Sequence, residues 1–80
     1  MVTISYNPVF KKKFEKIKDA ATKDKVKKQI RKIVENPEIG KPMMYARKGT
    51  RELYVSSHRI SYASVDDLII FLDLYHKDEQ

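Results

Sequence analysis

The sequence has no cysteine, no long apolar run and no secretory signal, and each absence narrows what the chain can be. Without cysteine it can form no disulfide, no thiolate zinc site and no cysteine nucleophile. The longest apolar run, residues 68–72, is far shorter than the roughly 20 residues that cross a bilayer. The first ten residues also lack the apolar stretch of a secretory signal. We therefore expect a cytoplasmic protein that does not interact with membranes.

The sequence also has no repeat, low-complexity tract or Ser/Gly-rich linker, so residues 1–80 are expected to form a single domain. A chain of this length buries only about 60% of the surface that its unfolded form exposes. Its core must be thin, and a deep, enclosed substrate cavity is not expected. The 41% of apolar residues nevertheless favours a folded chain over a disordered one.

Positive charge is abundant and unevenly distributed. Lysine and arginine number 17 against 11 aspartate and glutamate residues, which gives a formal net charge of +6. Residues 1–50 hold 14 of the cations and 5 of the carboxylates, whereas residues 51–80 hold 3 and 6. A basic first half favours a polyanionic partner such as nucleic acid.

The first half of the sequence predicts a strand and two helices. Residues 2–6 alternate like a short strand, and Asn7 followed by Pro8 is typical of a helix start. We place the break between the helices at residues 20–22 and the start of the second helix at Thr22 or Asp24. A residue before proline avoids the helical region, so this helix should end at Asn36. Two apolar stripes at helical spacing support these helices: Phe10, Phe14 and Ile17, then Val26, Ile30, Ile33 and Val34.

The second half predicts strands. Residues 36–50 contain both glycines and are expected to form a loop, in which residues 43–47 could hold a short strand. Residues 51–56, 58–65 and 68–75 have strand patterns, and their short connections require antiparallel pairing. The predicted fold class is α+β in the order β-α-α-β-β-β. A helical hairpin would pack on one face of a small, mainly antiparallel sheet.

Strand alternation assigns side chains to the two faces of this sheet. Ile60 and Tyr62 are expected to lie in the core, which leaves Arg59, Ser61 and Ala63 on the open face. In the last strand we expect one set of alternate residues to face the helices. This set is Leu68, Ile70, Leu72 and Leu74.

No nucleotide-binding or metal-binding motif is present, so we expect no cofactor and no metal ion. The sequence offers instead cationic and protic side chains around the sheet. A guanidinium among small neighbours leaves room for a phosphate and supplies a planar pair of donors, which makes Arg59 the most informative candidate. By position alone, a solvated surface arginine is the simpler interpretation of Arg59. The same simple interpretation, an exposed polar residue at a strand end, applies to His58, His76 and Lys77.

Taken together in this order, the features resemble the RelE/ParE superfamily of toxins from toxin–antitoxin pairs, with a RelE-like member the nearer match. The resemblance covers nearly the whole chain and includes the order of the elements. It also rests on short motifs, namely Asn36-Pro37, Gly40-Lys41-Pro42, Arg51-Glu52-Leu53-Tyr54, His58-Arg59-Ile60-Ser61-Tyr62 and Leu74-Tyr75-His76-Lys77.

The resemblance implies a ribosome-dependent endoribonuclease that cleaves mRNA in the ribosomal A site and is restrained by an antitoxin protein. The 2′-hydroxyl of the RNA would attack the adjacent phosphate and leave a 2′,3′-cyclic phosphate. Arg59 would stabilise the developing charge, and His76 or Lys77 would protonate the leaving oxygen.

The same resemblance implies that Arg47, Lys48 and Arg51 bind phosphates. His58 and Tyr75 join them as candidates because they are protic residues near the same strands. The basic helices would hold ribosomal RNA, and the residues we expect to do so are Lys11, Lys12, Lys16, Lys27, Lys28 and Arg31.

Two positions depart from the family pattern. Met43 stands where some members carry a glutamate base, and Glu52 stands where RelE-like members carry a lysine. Glu52 could act as the base or form a salt bridge with Arg59, so the general base stays unassigned. Two other functions also remain open, a non-catalytic gyrase poison of the ParE type and a basic nucleic-acid-binding module.

Overall fold

The computed structural model describes residues 2–42 and 49–76 and confirms the predicted α+β class. The predicted strand within residues 43–47 lies outside the described residues. A 3₁₀ turn at Pro37–Ile39 follows the second helix. The helices and strands are β1 (Thr3–Tyr6), α1 (Pro8–Lys16), α2 (Ala20–Glu35), β2 (Lys41–Pro42), β3 (Thr50–Val55), β4 (His58–Val65) and β5 (Leu68–His76).

The strands form one five-stranded sheet in the order β1-β5-β4-β3-β2. β3, β4 and β5 pair antiparallel as predicted, through two-residue connections, and β1 pairs parallel with β5. Strand β4 therefore lies at the centre of the sheet, between two antiparallel neighbours. The backbone of β4 is hydrogen-bonded to a strand on each side. This pairing fixes the directions in which the side chains of β4 point.

Side-chain caps decide where the two helices begin. The Asn7 side chain accepts a hydrogen bond from the Val9 amide (2.9 Å), as its position before Pro8 suggests. The start of α2 differs from the prediction, because it begins at Ala20 and not at Thr22 or Asp24. The Asp19 carboxylate accepts hydrogen bonds from the Thr22 hydroxyl (2.7 Å) and the Ala21 amide (3.1 Å), so Asp19 is the N-cap. The same hydrogen bonds, the one from Thr22 first, lower the pKa of Asp19.

The core lies between the two helices and one face of the sheet. Ile60 and Tyr62 of β4 have no exposed surface, which confirms that they face the helices. Partly buried residues of both helices, among them Phe14 and Ile30, pack around this core. The core residues are Phe10, Val26, Ile33, Val55, Ile60, Tyr62, Ile69, Phe71 and Leu74. Neither described helix combines the length and the apolar composition that crossing a membrane would require.

Strand β5 presents a different set of side chains to the helices than the sequence predicts. Its pairing with β4 passes from Ser61–Asp73 to Tyr62–Phe71, so Leu72 has no partner and the strand has a bulge. Ile69 and Phe71 are buried before the bulge, whereas the predicted Leu68, Ile70 and Leu72 are only half-buried; Leu74, after the bulge, is buried as expected. The error has a physical reason. Both alternate sets of this strand are apolar, and an extra residue changes which set faces inward.

Candidate active site on the open face of the sheet

Arg59 projects from the face of the sheet that carries no described helix. It alternates with the buried Ile60, and its neighbours across the ladder are Tyr54 of β3 and Tyr75 of β5. This confirms the prediction that Arg59 and the core residues of β4 lie on opposite faces. The guanidinium is thus held at the centre of the sheet between two aromatic residues.

The Arg59 guanidinium lies against Glu52 and Tyr54 of β3. Its Nη1 lies 3.6 Å from Oε1 of Glu52, and its carbon lies 4.5 Å from the centre of the Tyr54 ring. The Arg59 side chain is 25% exposed and that of Glu52 only 12% exposed, so the ion pair is partly shielded from water. The Glu52 carboxylate lies against one edge of the guanidinium, and the Tyr54 ring lies beneath the guanidinium plane and orients it.

The Tyr75 hydroxyl completes this cluster by donating a hydrogen bond to the Glu52 carboxylate. Burial first, and then this hydrogen bond and the charge of Glu52, raise the pKa of Tyr75 to about 12. Tyr75 therefore keeps its proton at neutral pH and acts as a donor to Glu52. The cluster combines one cation, one carboxylate and one phenol within reach of each other. Such a set can bind a phosphate through the guanidinium and accept a proton at the carboxylate.

His58 and His76 do not join Arg59. They pair with each other across β4 and β5, with ring centres 5.2 Å apart, and His58 alternates with Arg59 along β4. Both rings line a cavity of about 330 Å³ on the helix side of the sheet. Other residues around this cavity are Lys13, Lys16, Lys18 and Asp19. Two of the predicted site residues thus lie on the face opposite Arg59.

Arg51 also lies on the helix side, in register with the buried Tyr62. Its Nη1 donates hydrogen bonds to the carbonyl oxygens of Gly40 (2.8 Å) and Glu38 (3.2 Å). The Tyr62 hydroxyl accepts from the Gly40 amide (2.9 Å) and donates to the Pro37 carbonyl (2.7 Å). These bonds attach the segment after α2 to the sheet. The structure therefore gives Arg51 contacts with the backbone and places it apart from the Arg59 cluster.

The remaining predicted residues are distributed as follows. Arg47, Lys48 and Lys77 lie outside the described residues, so their roles stay predictions. The six residues predicted to hold ribosomal RNA are all exposed on the helices. They form a basic surface on the side of the molecule opposite the open face.

Sequence reasoning missed the contact of Tyr54 with Arg59. Tyr54 is 58% exposed, and its ring lies against the guanidinium. The signal was present in the sequence. A two-residue connection between β3 and β4 pairs Val55 with His58 and therefore Tyr54 with Arg59. Lys13 and Lys18 were missed as neighbours of the histidines, because only the packing of α1 on β5 brings them together.

Comparison with known protein families gives one match, to a family described as the ParE toxin of the type II toxin–antitoxin system parDE. The match covers residues 4–80. A search of curated proteins found no significant match.

Several solved structures share the fold at low sequence identity. In the E. coli RelBE toxin–antitoxin complex, one chain has a TM-score of 0.81 and 14% identity, covering 95% of this chain and 96% of that one. A chain of the RelBE2 complex from Mycobacterium tuberculosis has a TM-score of 0.80 and 18% identity, covering 94% and 96%. The YoeB dimer from Staphylococcus aureus has a TM-score of 0.78 and 20% identity, covering 94% and 97%.

These likenesses agree in fold with the family match, which spans almost the entire chain. The chain belongs to the ParE toxin family of type II toxin–antitoxin systems.

Proposed function

We propose that this toxin is a ribosome-dependent endoribonuclease that cleaves mRNA in the ribosomal A site. The observation that carries the proposal is the cluster of Arg59, Glu52 and Tyr75 on the open face of the sheet. The position of this cluster on the open face suits such an enzyme, because the ribosome would position the RNA strand against an open surface.

Arg59 is the residue that would stabilise the transition state. Attack of the 2′-hydroxyl on the adjacent phosphate places additional negative charge on the phosphoryl oxygens. A guanidinium already oriented by Tyr54 and Glu52 meets this charge without further reorganisation. The incoming phosphate would share Arg59 with Glu52, which frees the carboxylate for a second role.

Glu52 is the candidate general base within the described residues. It is shielded from water and lies beside the guanidinium that would bind the phosphate, an arrangement that would bring the carboxylate near the attacking 2′-hydroxyl. Tyr75 donates its hydrogen to Glu52 and so helps to orient the carboxylate. With a pKa of about 12, Tyr75 itself is a poor base at neutral pH.

Protonation of the leaving 5′-oxygen completes the reaction. The family resemblance offers His76 and Lys77 for this role. The His76 ring lies against His58 on the helix side of the sheet, away from the Arg59 cluster, which supports the choice of Lys77 in this proposal. Lys77 stays a prediction.

The proposed partner is an antitoxin protein, as in the RelBE complexes that share this fold. One groove on the helix side could accommodate a segment of this antitoxin. The groove, of about 270 Å³, has Tyr6, Phe14 and Ile30 along its sides and Lys11 and Lys27 at its rim. An apolar floor with a basic rim is complementary to an amphipathic segment that carries acidic residues.

The family match itself favours a second candidate, a gyrase poison without nuclease activity. The family bears the name of ParE toxins, and the Arg59 guanidinium is paired with a carboxylate in the free protein. In this alternative the Arg59–Glu52 pair would be structural. A third reading, a basic nucleic-acid-binding module without catalysis, rests on the charge of the helices.

Primer extension on mRNA from cells that express the toxin tests the proposal. We expect new cleavage sites, which Arg59→Ala weakens by roughly 10²–10³-fold, the cost of removing one transition-state donor. Lys25→Ala, which removes an exposed cation from α2, serves as the matched control and should retain the sites. If no sites appear, or if Arg59→Ala leaves them unchanged, the proposal is wrong.

The same expression experiment separates the alternatives. Loss of DNA supercoiling with normal translation would identify the gyrase poison. RNA or DNA binding that weakens steeply with salt, with no cleavage on ribosomes, would identify the binding module.

A further inference from the structure

The cavity on the helix side has a chemistry that the proposed function does not use. Two imidazole rings, His58 and His76, form one wall, and their centres are 5.2 Å apart in an edge-to-face arrangement. Lys13, Lys16 and Lys18 stand around the same space of about 330 Å³.

Two carboxylates of the described residues lie near this cavity, and both already have partners. Asp19 caps α2 through Thr22 and Ala21, and its pKa is lowered by these hydrogen bonds. Asp73 forms an ion pair with Lys13, whose Nζ lies 2.9 Å from Oδ1 of Asp73. Lys16 and Lys18 have no ion pair within 4 Å among the described residues. Among the described residues, three lysines therefore stand against two carboxylates around the cavity.

The position of the cavity relates it to the Arg59 cluster. His58 and Arg59 are consecutive residues of β4, and consecutive side chains of a strand point to opposite faces. His76 and Tyr75 stand in the same relation at the end of β5. Both pairs lie at the end of the sheet where β4 begins and β5 ends. A single RNA strand that passes around this end would meet the Arg59 cluster on one face and the histidine cavity on the other.

We propose that the cavity formed by His58, His76, Lys16 and Lys18 binds a phosphodiester of the RNA strand, separate from the phosphate held by Arg59, and that proton uptake by the histidines strengthens this binding. The inference deepens the proposed function and rests on its RNA substrate. It gives the two histidines a role in substrate binding on a face where they cannot reach the Arg59 guanidinium.

The link to pH follows from the charges that face the histidines. The charged residues that line the cavity beside the two rings are Lys13, Lys16, Lys18 and Asp19. A bound phosphodiester supplies the opposite charge, so binding and protonation favour each other. Imidazole changes charge between pH 5 and 8, whereas a phosphodiester does not titrate in this range.

Binding of a short 2′-O-methyl RNA of about eight nucleotides tests the inference, because this RNA lacks the hydroxyl that cleavage requires. We expect its affinity for the full chain to rise by roughly tenfold between pH 7.5 and pH 5.5, the effect of one coupled imidazole proton. In the double variant His58→Gln/His76→Gln the affinity should no longer depend on pH. Lys16→Gln should reduce the slope of the logarithm of the affinity against the logarithm of the salt concentration by about one.

The matched control is Lys25→Gln, which removes the same charge from an exposed position of α2 outside the cavity. It should keep the full pH dependence. NMR of the histidine ring protons in the unaltered chain gives a second readout, since the RNA should shift the titration of both rings to higher pH. That measurement needs no variant to fold.

A pH dependence that survives in the double histidine variant, or ring protons that do not respond to the RNA, would overturn the inference. Its failure is distinguishable from failure of the proposed function. Arg59→Ala should weaken cleavage on ribosomes by roughly 10²–10³-fold yet retain the pH dependence of RNA binding. The double histidine variant should lose that pH dependence.

Discussion

The two faces of strand β4 differ in what they contribute to the protein. On the helix side, Ile60 and Tyr62 have no exposed surface and are surrounded by core residues. On the open side, Arg59 is paired with Glu52 and lies over an exposed tyrosine. Buried apolar surface is concentrated on the first face, and the Arg59–Glu52 ion pair lies on the second. A thin domain can thus carry charged groups on one face without placing charge in its core.

The two faces also show how a small sheet can fix the positions of polar side chains on an open surface. Antiparallel ladders on both sides of β4 fix the direction of each side chain, so groups on the open face are held by the backbone. The histidine cavity shows the same principle on the helix side, where α1 adds lysines to two strand residues. Each face assembles its cluster from different segments of the chain.

The largest expected effect is a loss of stability when a side chain is truncated on the helix side, compared with a truncation on the open face. Ile60→Ala should lower the free energy of unfolding by about 2–5 kcal/mol, because it removes fully buried methyl groups. Tyr54→Ala, on the open face, should lower it by less than about 1 kcal/mol, since this side chain is 58% exposed. Urea unfolding of the two variants measures both. Ile60→Val, with an expected cost of about 0.5–1.5 kcal/mol, covers the case in which the alanine variant does not fold. Equal losses at Ile60 and Tyr54 would remove the contrast between the faces.

The next effect concerns the hydroxyl that attaches the segment after α2. Tyr62→Phe should cost about 1–3 kcal/mol, because it leaves the buried Gly40 amide without its acceptor. Gly40→Ala should be at least as harmful, since a methyl group at this position would overlap the Tyr62 hydroxyl. Thermal unfolding of both variants checks this. An unchanged midpoint in Tyr62→Phe would mean that the segment is held by Arg51 alone.

A third effect is a pH dependence on the open face. The raised pKa of Tyr75 means that its stabilising contribution is complete below the ordinary tyrosine pKa of 10.0 and is lost as the pH rises toward about 12. The difference in unfolding free energy between the natural chain and Tyr75→Phe should therefore shrink over this interval. Tyr62, whose pKa is also raised, is present in both proteins and does not affect the difference. A difference that stays constant from pH 9 to pH 12 would show that Tyr75 is not coupled to Glu52.

The smallest effect is expected at Ser61, on the same face as Arg59. Its hydroxyl is buried and has no hydrogen-bond partner among residues 2–42 and 49–76. Ser61→Ala should therefore change the unfolding free energy by less than about 0.5 kcal/mol or increase it slightly, because no hydrogen bond is lost. A clear destabilisation in urea would show that the hydroxyl has a partner in solution.

Much of the fold could be predicted because its signals are local. Asn7 before Pro8 marks the start of α1, and β4 has the predicted bounds, His58–Val65. The start of α2 was misplaced because Ala20 and Ala21 carry no signal of their own, and the cap is the residue before them. To predict where such a helix begins, one must choose the capping residue correctly among several polar residues.

The candidate site was predicted only in part. Alternation placed Arg59 on the open face, and the family resemblance singled it out together with His76 and Lys77. Grouping the histidines with Arg59 treated neighbours in sequence as neighbours in space. Since His58 alternates with Arg59, the sheet directs their side chains to opposite faces.

The sequence by itself determined the class of the fold, the basic helices and the placement of Arg59 on the open face of the sheet. These depend on composition, periodicity and motifs, which are properties of consecutive residues. The tertiary structure decided which side of β5 faces the core, that Glu52 and Tyr75 enclose Arg59, and that lysines of α1 meet the histidine pair. Those arrangements depend on ladder register, on one bulge and on the docking of a helix, and each joins residues far apart along the chain.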